Sequence, residues 1–419
     1  MDKTSSKTLK NILRPFRILS YFLGIRVLRF PSGWRSIKLN VIYSIVLFVL
    51  HLISWQYISP KQRIMELDNT QFYIMFLLNN FIIIISIVTG LFKDKLWENS
   101  VRRLEEIDKT LQALGSNSRF HKIYVRTMIE LIFFVIFFVI LIYFDYIMTN
   151  LNGSEIMKII FVLSIVIIHA YGEIVASTVT MEFLTMVRCI ESELERASDL
   201  LSDINVLPCT SIAMELIKYK GTKKSLKKFI KVLPSSQKIN SRLDVSNQEI
   251  FRSRRLLQTI RQIHLELYKV SKNLNDLYGI QVFIIICLYF FYNTCFFYST
   301  YITVKKFGYT PDILLKQMGS VPYFFFSSLC KVIFINYTCD DTTQKMEKIN
   351  EIVYTFYAEN TDYIIQQEVK MFTLQMAHCQ STYSTFGLYS FNRKYIYSCV
   401  GVMMTYLTIM IQMSDPMTK

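Results

Sequence analysis

The apolar residues of this chain are gathered into long blocks separated by polar stretches. A block of about 20 residues is the length that a helix needs to cross a hydrocarbon core of roughly 30 Å. Only helices and closed barrels satisfy their backbone hydrogen bonds in lipid, and these blocks are too long and continuous for barrel strands. We therefore predict an all-α, polytopic membrane protein with about seven transmembrane helices. The predicted spans are Leu39–Ser59, Phe72–Phe92, Met128–Met148, Ile156–Met186, Tyr278–Ile302, Val321–Cys339 and Tyr395–Met413.

Several polar stretches keep the spacing of a helix face and are predicted to continue the spans into the cytosol. Residues 180–201 extend span four, and residues 247–277 repeat apolar side chains every seven residues before running straight into span five. Residues 340–360 follow span six, and residues 363–379 form another helix before span seven. Apolar faces of this kind need partners, so we expect one packed cytosolic anchor bundle. The apolar positions concerned are Ile250, Leu257, Ile260, Ile263, Leu267, Val270, Leu274, Leu277, Met346, Ile349, Ile352, Val353, Phe356, Ile364, Val369, Met371, Phe372, Leu374 and Met376.

The predicted organisation alternates membrane and aqueous segments. Its parts are a cytosolic N-terminal segment at 1–38, transmembrane helices one to four at 39–186, a cytosolic helical extension and basic loop at 187–277, transmembrane helices five and six at 278–339, cytosolic anchor helices at 340–394, transmembrane helix seven at 395–413 and an extracellular tail at 414–419. The lysine-rich stretch at 208–245 is interpreted either as a solvated loop or as a contact with anionic lipid headgroups.

Lysine and arginine are concentrated in alternate segments. The segments on the same side as the N-terminus hold 39 of the 47 cations and the opposite segments hold 6, while Lys158 and Lys331 lie within spans. Because cytoplasmic loops carry the excess of positive charge, this asymmetry predicts a cytosolic N-terminus and an extracellular C-terminus. That orientation is opposite to the one of a G-protein-coupled receptor. It also accounts for the net charge of +15 without a nucleic-acid partner.

Two glycosylation sequons fall on opposite sides of this predicted membrane. Asn152, in Asn-Gly-Ser, lies in an outer loop and is the expected glycosylation site. Asn336, in Asn-Tyr-Thr, lies at the inner end of span six and is expected to stay unmodified.

Composition and motifs argue against an enzyme. The chain is 52% hydrophobic and only 19% charged, whereas soluble domains average about 25% charged residues. We find no phosphate-binding loop, no zinc-protease helix and no nucleophile elbow. The eight cysteines show neither a CxxC pair nor the spacing of metal ligands, so we expect no metal and no cofactor. All of them fall in spans or inner segments, where thiols stay reduced, and we expect no disulfide.

Lys331 and Glu173 are the ionisable residues that stand out within the predicted spans. Ionisable side chains inside a membrane usually face a cavity or a partner, and Glu173 is a candidate partner for Lys331. Alternatively, the lysine extends toward the inner surface, although Cys339 at that end is eight residues, or about 12 Å, away. His169 and Glu173 share a helix face and form either part of a site or an ordinary packing pair.

Polar and aromatic residues in the outer halves of the spans are candidates for a ligand pocket. Small-ligand pockets combine aromatic walls with a few polar groups, and ordinary interhelical hydrogen bonding is the alternative for each residue. The candidates are Asn79, Asn80, Tyr143, Asp145, His169, Tyr292, Asn293, Tyr323 and Ser327.

The last span carries the motif Thr405, Tyr406 and, after five further residues, Gln412. It resembles the signature of insect gustatory receptors, which is Thr-Tyr, five mostly apolar residues and Gln-Phe. Met413 replaces the Phe, and Thr408 stands at a usually apolar position. Upstream, further residues look like the family's opening and its linker before the last span. These are Leu13, Arg14, Pro15, Gly24, Gln375, His378, Phe386, Gly387, Leu388, Asn392 and Arg393.

The resemblance implies a plasma-membrane cation channel of four subunits, alike or mixed, gated by a small-molecule tastant. It implies that the last span lines the pore, with Gln412, Met413, Ile409 and Thr405 at the gate and Tyr406 as a packing anchor. Alternatively, Gln412 only caps the helix at the membrane interface. We expect a bitter or other non-sugar tastant. A sugar-sensing receptor or an odorant receptor of the same architecture is the nearest alternative, and a metabotropic seven-helix receptor or a transporter is a more distant one.

Overall fold

The computed structural model describes residues 9–26, 37–62, 69–148, 171–202, 237–308, 321–359, 363–379, 383–385 and 389–414. Within these ranges the chain forms α-helices and one short antiparallel hairpin. The helices are α1 (Leu9–Phe22), α2 (Ile37–Gln62), α3 (Asn69–Phe92), α4 (Asp94–Ala113), α5 (Phe120–Met148), α6 (residues 171–202), α7 (Gln237–Phe307), α8 (Val321–Glu359), α9 (Tyr363–His378) and α10 (Arg393–Ser414), and the strands are β1 (Ser384–Thr385) and β2 (Tyr389–Ser390).

The apolar blocks of the sequence lie in helices wherever the structure describes them, which confirms the predicted helical fold. Span four is described only from residue 171 onward. By length and apolarity alone, three helices of the described ranges can cross a membrane: Phe120–Ile140, Phe251–Ile302 and Arg393–Met413. A fourth is added if Leu77–Phe92 and its bent neighbour are counted together. The orientation of the termini stays a prediction.

Two helices run unbroken from the predicted anchor bundle into the apolar spans, as the sequence predicts. Helix α7 has 71 residues and α8 has 39. The predicted seven-residue repeat of α7 is its buried face: Leu257, Ile260, Ile263, Leu267, Val270, Leu274 and Leu277 are each at most 5% exposed. In α8, Met346, Ile349 and Val353 are buried in the same core.

Two helices of the bundle, α1 and α4, were not predicted. Each is amphipathic and buries one face in the common core, including Leu13 and Phe16 of α1 and Leu104 and Leu111 of α4. Both helices end in the same way. A glycine with positive φ, Gly24 at 66° and Gly115 at 97°, follows the last turn, and the residues after it donate back to carbonyls of that turn. Glycine adopts this left-handed conformation without strain.

In helix α9, the apolar residues predicted to share one face of residues 363–379 lie on two different sides of the helix. Val369, Phe372 and Met376 are buried against the bundle, as expected. Ile364, Met371 and Leu374 lie on the opposite side and are 44–54% exposed. The single chain thus leaves an apolar surface on the outside of its anchor bundle.

A buried ion cluster ties α6 to α4 in the bundle. The Arg196 guanidinium donates to Asp108 at 2.6 Å, to Glu193 at 2.5 Å and to the Ser116 carbonyl at 2.8 Å. Burial raises the pKa of Glu193 to about 8 even beside Arg196. Two carboxyl groups therefore share one cation, and burial favours a proton on Glu193.

Candidate functional site

An ion pair lies among the membrane helices, between Glu173 of α6 and Lys331 of α8. The ammonium contacts Glu173 Oε1 and donates to Ser177 Oγ at 2.6 Å. The Glu173 side chain is 6% exposed and the Lys331 side chain 13%. The structure therefore confirms Glu173 as the partner of Lys331.

Other polar groups complete the surroundings of this pair. Glu173 Oε1 accepts from Tyr289 OH at 3.4 Å and from Ser327 Oγ at 3.3 Å. The Lys331 ammonium also lies 5.3 Å from the centre of the Tyr289 ring. These contacts compensate part of the desolvation of both charges, and removing one charge alone would leave the other buried and unpaired.

A second polar layer links α3, α7 and α8 beside the ion pair. Asn79 Nδ2 donates to Tyr292 OH at 2.7 Å, and Ser328 Oγ donates to Asn293 Oδ1 at 2.7 Å. Gly172 permits the close approach of α6, because a Cβ there would lie 2.8 Å from Asn79 Oδ1. Among the described residues, that Asn79 oxygen is buried and has no hydrogen-bond partner, so it is an unpaired acceptor within the helix bundle.

Stacked aromatic rings border this layer on the α7 and α8 side. Phe296 and Phe325 stack with ring centres 4.5 Å apart, and Phe297 meets Phe325 edge-on at 5.2 Å. Polar groups beside an aromatic wall make a suitable surface for a small organic ligand.

The structure brings together part of the predicted pocket. Asn79, Tyr292, Asn293 and Ser327 lie in the two polar layers described above, and Asn80 is buried nearby on α3. Tyr143 is 65% exposed on the surface of α5 and does not join them. The side chains of Asp145, His169 and Tyr323 lie outside the described residues, as does Asn152. Sequence reasoning missed two groups beside Glu173. Ser177 lies one turn further along α6, and Tyr289 lies on α7.

The predicted gate residues lie on α10, which is a helix over the full predicted span. No residue of its apolar stretch is buried within the single chain. Ile409 is 44% exposed and Met413 69%, and Gln412 is exposed as well. Thr405 Oγ1 donates to the Gly401 carbonyl of its own helix at 3.0 Å. Tyr406 meets Phe290 of α7 edge-on at 6.5 Å.

A hairpin that sequence reasoning missed holds the base of α10 against α7. Its two strands pair antiparallel, Ser384 with Ser390 and Thr385 with Tyr389. Ser384 N–H donates to Asn275 Oδ1 and Thr385 Oγ1 donates to the Gly279 carbonyl, both at 3.0 Å. Strands this short leave almost no alternation in the sequence, so no pattern predicts them.

The residues after the hairpin join α10 to α8. Asn392 Oδ1 accepts from Tyr395 N–H at 3.0 Å and so caps the first turn of α10. Arg393 pairs with Asp340 at 3.1 Å and also contacts Asp341. These contacts connect α8 to the base of α10. An asparagine before a helical stretch was a usable signal for this cap.

Asn336, the residue of the inner sequon, is buried in the same region. Its Nδ2 donates to the Val332 carbonyl at 2.9 Å, and its Oδ1 accepts from Tyr389 OH at 3.3 Å. A glycan attached to this side chain would break both hydrogen bonds.

Within the described ranges no cluster of His, Cys, Asp or Glu side chains has the arrangement of a metal site. The ionisable groups of this site form ion pairs between helices, Glu173 with Lys331 and Arg393 with Asp340.

Comparison with known proteins places this geometry in context. The sequence pattern of the family described as 7tm Chemosensory receptor matches residues 12–415. The fold is similar to the insect olfactory receptor OR5 from Machilis hrabei, with a TM-score of 0.54 and 13% identity over 97% of this chain and 98% of that one. The structure of the same receptor in complex with eugenol gives a TM-score of 0.53 and 11% identity over 96% and 98% of the two chains. No curated protein matches the sequence.

Proposed function

Because this chain belongs to the insect 7tm chemosensory receptor family, we propose that it is a gustatory receptor that works as a tastant-gated, non-selective cation channel. Its place is the plasma membrane of a sensory neuron, and its expected tastant is a bitter or other non-sugar compound. The receptor is proposed to act as four subunits, either four copies or a mixture with related subunits.

The observation that carries this proposal is the unburied helix α10. A membrane helix with no buried residue in the single chain presents its surface to lipid, to other subunits or to a lumen. Its polar Thr405, Thr408 and Gln412 favour a lumen or another subunit over lipid. Four copies around an axis would provide both. The Thr405, Tyr406 and Gln412 signature in this helix supports the same assignment.

The two polar layers between α3, α6, α7 and α8 are the proposed tastant pocket. Asn79 supplies an acceptor that has no partner among the described residues, and the Phe296–Phe325 stack supplies an apolar wall. The aromatic stack, beside donors that are already engaged with one another, favours a compound with apolar rings over a polyhydroxylated sugar. A ligand opens the channel only by binding more tightly to the open arrangement than to the closed one.

A contact path supports coupling between that pocket and the gate. Lys331 and Ser328 of α8 belong to the polar layers, and Asp340 and Asp341 of the same helix pair with Arg393 at the start of α10. A shift of α8 on binding would move the base of the pore helix.

Excised-patch recording tests the proposal. Membrane patches from cells that express the chain are exposed to alkaloids, sugars and volatile phenols in a solution without nucleotides. We expect cation currents within milliseconds of application of an active tastant. Ligand responses that appear only in intact cells and need GTP would instead favour a metabotropic receptor. Staining of an epitope after Lys419 on intact cells tests the orientation independently.

An odorant receptor is the second candidate, and one observation favours it. The whole-chain likeness is to an olfactory receptor, solved also in complex with eugenol. Currents evoked by eugenol and other volatile phenols, with no response to non-volatile alkaloids, would assign the chain to this alternative.

A further inference from the structure

An open groove lies on the surface of α5 near its first turns. It has a volume of about 540 Å³ and is lined by His121, Lys122, Val125, Arg126, Ile129 and Glu130. We propose that this groove binds one anionic phospholipid of the inner leaflet, with its headgroup on the cations and an acyl chain along the apolar residues.

The groove carries an excess of positive charge. Lys122 and His121 are exposed, and within the described part of the chain neither side chain has an ion-pair partner. Arg126 pairs with Glu130 at 3.3 Å, but Glu130 also accepts from the buried Arg188 at 2.6 Å. Arg188 alone balances Glu130, so the charges of Arg126 and Lys122 are available to an anion.

The apolar part of the groove continues along the same helix toward the membrane centre. Val125 is 42% exposed and Ile129 60%. The next turn presents Ile132 at 57% and Phe133 at 69% exposure. A lipid whose phosphate contacts Lys122 and Arg126 would lay an acyl chain over this strip, whereas a soluble anion would leave it uncovered.

The depth of the cations matches that of a headgroup. If the hydrocarbon core begins near Met128, Lys122 lies about 9 Å and Arg126 about 3 Å outside it at 1.5 Å per residue. The interfacial layer on each side of the core is roughly 5–8 Å thick. The flexible lysine side chain can bend back into this layer, so both cations reach the phosphate level.

The charges and the apolar strip together favour a lipid over an acidic protein segment. An acidic peptide would pair with the cations and would have to compete with lipid for Ile129 and the turn beyond it. One lysine or arginine near an anionic surface contributes about 1 kcal/mol, which corresponds to about fivefold in affinity per charge.

Native mass spectrometry of the full-length protein in detergent tests the proposal, with phosphatidylserine and phosphatidylcholine as probes. We expect one phosphatidylserine to be retained per chain and phosphatidylcholine to be lost. The variant Lys122→Gln/Arg126→Gln should weaken phosphatidylserine binding about 25-fold. The matched control is Lys109→Gln/Lys348→Gln, which removes two exposed cations of α4 and α8 and should bind like the parent.

Three outcomes would overturn the proposal. Equal retention of phosphatidylcholine would show that charge plays no part, and an equal loss in the control variant would show a general effect of net charge. Equally tight binding of soluble glycerophosphoserine would show an anion site that does not use the apolar strip. If the double variant is poorly folded, His121→Gln/Lys122→Gln replaces it, since both of its side chains are exposed and are expected to leave packing unchanged.

Discussion

At the scale of single residues, the ion pair of Glu173 and Lys331 places two opposite charges among the membrane helices. Both charges are removed from water inside a membrane helix bundle, and each is held by hydroxyl groups as well as by its partner. Breaking a buried pair by removing one charge is strongly destabilising, while replacing both by apolar groups is often tolerated. If the single substitution destabilises the protein more than the double substitution does, the two residues act as a pair and not independently.

We predict that Lys331→Met lowers the free energy of unfolding by about 3–5 kcal/mol and that the double variant Glu173→Leu/Lys331→Met recovers most of that loss. Thermal unfolding followed by fluorescence-detected size exclusion measures both. Lys348→Met, an exposed lysine of the same helix, is the control and should behave like the parent. A double variant that is less stable than Lys331→Met would contradict the predicted coupling.

His264 of α7 gives the anchor bundle a dependence on pH. It is buried edge-on against Phe372 with ring centres 5.6 Å apart, and burial lowers the pKa of His264 to about 4. The unfolded chain, with a histidine pKa of about 6.5, binds more protons between these two values. Stability therefore falls as the pH falls through this window.

We predict that His264 accounts for a loss of about 2 kcal/mol of stability between pH 7.5 and pH 5. His264→Leu should remove this part of the pH dependence, while His121→Leu, a change at an exposed histidine, should retain it. Glu193 acts in the opposite sense, since its pKa is raised to about 8, so the comparison between variants isolates His264. Identical pH profiles for the parent and His264→Leu would refute the assignment.

At the scale of elements, the junction of α3 and α4 sets where the membrane region meets the bundle. The two helices meet at Lys93 with a bend of 67°. The turn after α1 packs against α3 just before this bend. There Arg26 pairs with Glu182 of α6 at 2.7 Å and covers the Trp97 ring at 4.3 Å.

Gly90 is the residue that permits this packing. A Cβ at Gly90 would lie 1.6 Å from the Ile25 carbonyl oxygen, and backbone cannot yield as a flexible side chain does. We predict that Gly90→Ala destabilises the protein by about 3 kcal/mol or more and reduces surface expression. Gly279→Ala meets its nearest neighbour at 3.5 Å, an ordinary contact, and serves as the tolerated control. Normal expression and stability of Gly90→Ala would show that the α1 turn does not pack on α3 in this way.

The outer end of α10 is the proposed gate. Met413 is apolar and flexible, and four copies would form a dry constriction. Met413→Ala should raise the ligand-free open probability, and Gln412→Ala should lower single-channel conductance while the ligand concentration for half-activation stays the same. Single-channel recording separates these effects from expression, because conductance does not depend on the number of channels. If both variants conduct and open like the parent, the two residues only anchor the helix end.

The elements differ in how far the sequence predicts them. Apolar blocks of membrane length and the seven-residue repeats of α7 are strong signals in the sequence. The helices predicted from them are confirmed wherever the structure describes them. Helices α1 and α4 are amphipathic, and the mean apolarity of their segments does not separate them from loops. In the polar layers, Lys331 and Glu173 were predictable because charge is rare in a span. Tyr289 and Ser177 resemble many other span residues, and only packing shows that they face Glu173.

At the scale of the whole molecule, two of the apolar surfaces that the described part of the single chain leaves uncovered bear on assembly. One is α10 in the membrane, and the other is the strip of Ile364, Met371 and Leu374 on α9 of the anchor. A strip exposed to water at the anchor is costly unless another subunit covers it. Both surfaces support the proposed assembly.

We predict that the purified receptor contains four copies, as measured by mass photometry in mild detergent. Met371→Glu/Leu374→Glu should shift the population toward smaller species, because carboxylates would have to be buried at the anchor interface. Lys109→Glu adds the same kind of charge on an exposed site of α4 and should leave the assembly intact. A monodisperse single chain in several detergents would contradict the fourfold proposal.

The two residues of the ion pair, Glu173 and Lys331, are synthesised and inserted at different times. Glu173 enters the membrane 158 residues before Lys331, which is a delay of roughly 8–30 s at 5–20 residues per second. During that interval an acidic residue sits in a nascent span without its counter-charge, at a cost of about 2.5–3.5 kcal/mol in the insertion machinery. The span that contains Glu173 is therefore less stable in the bilayer until the lysine arrives. A chain truncated before Lys331 would keep an acidic residue without its basic partner among the membrane helices.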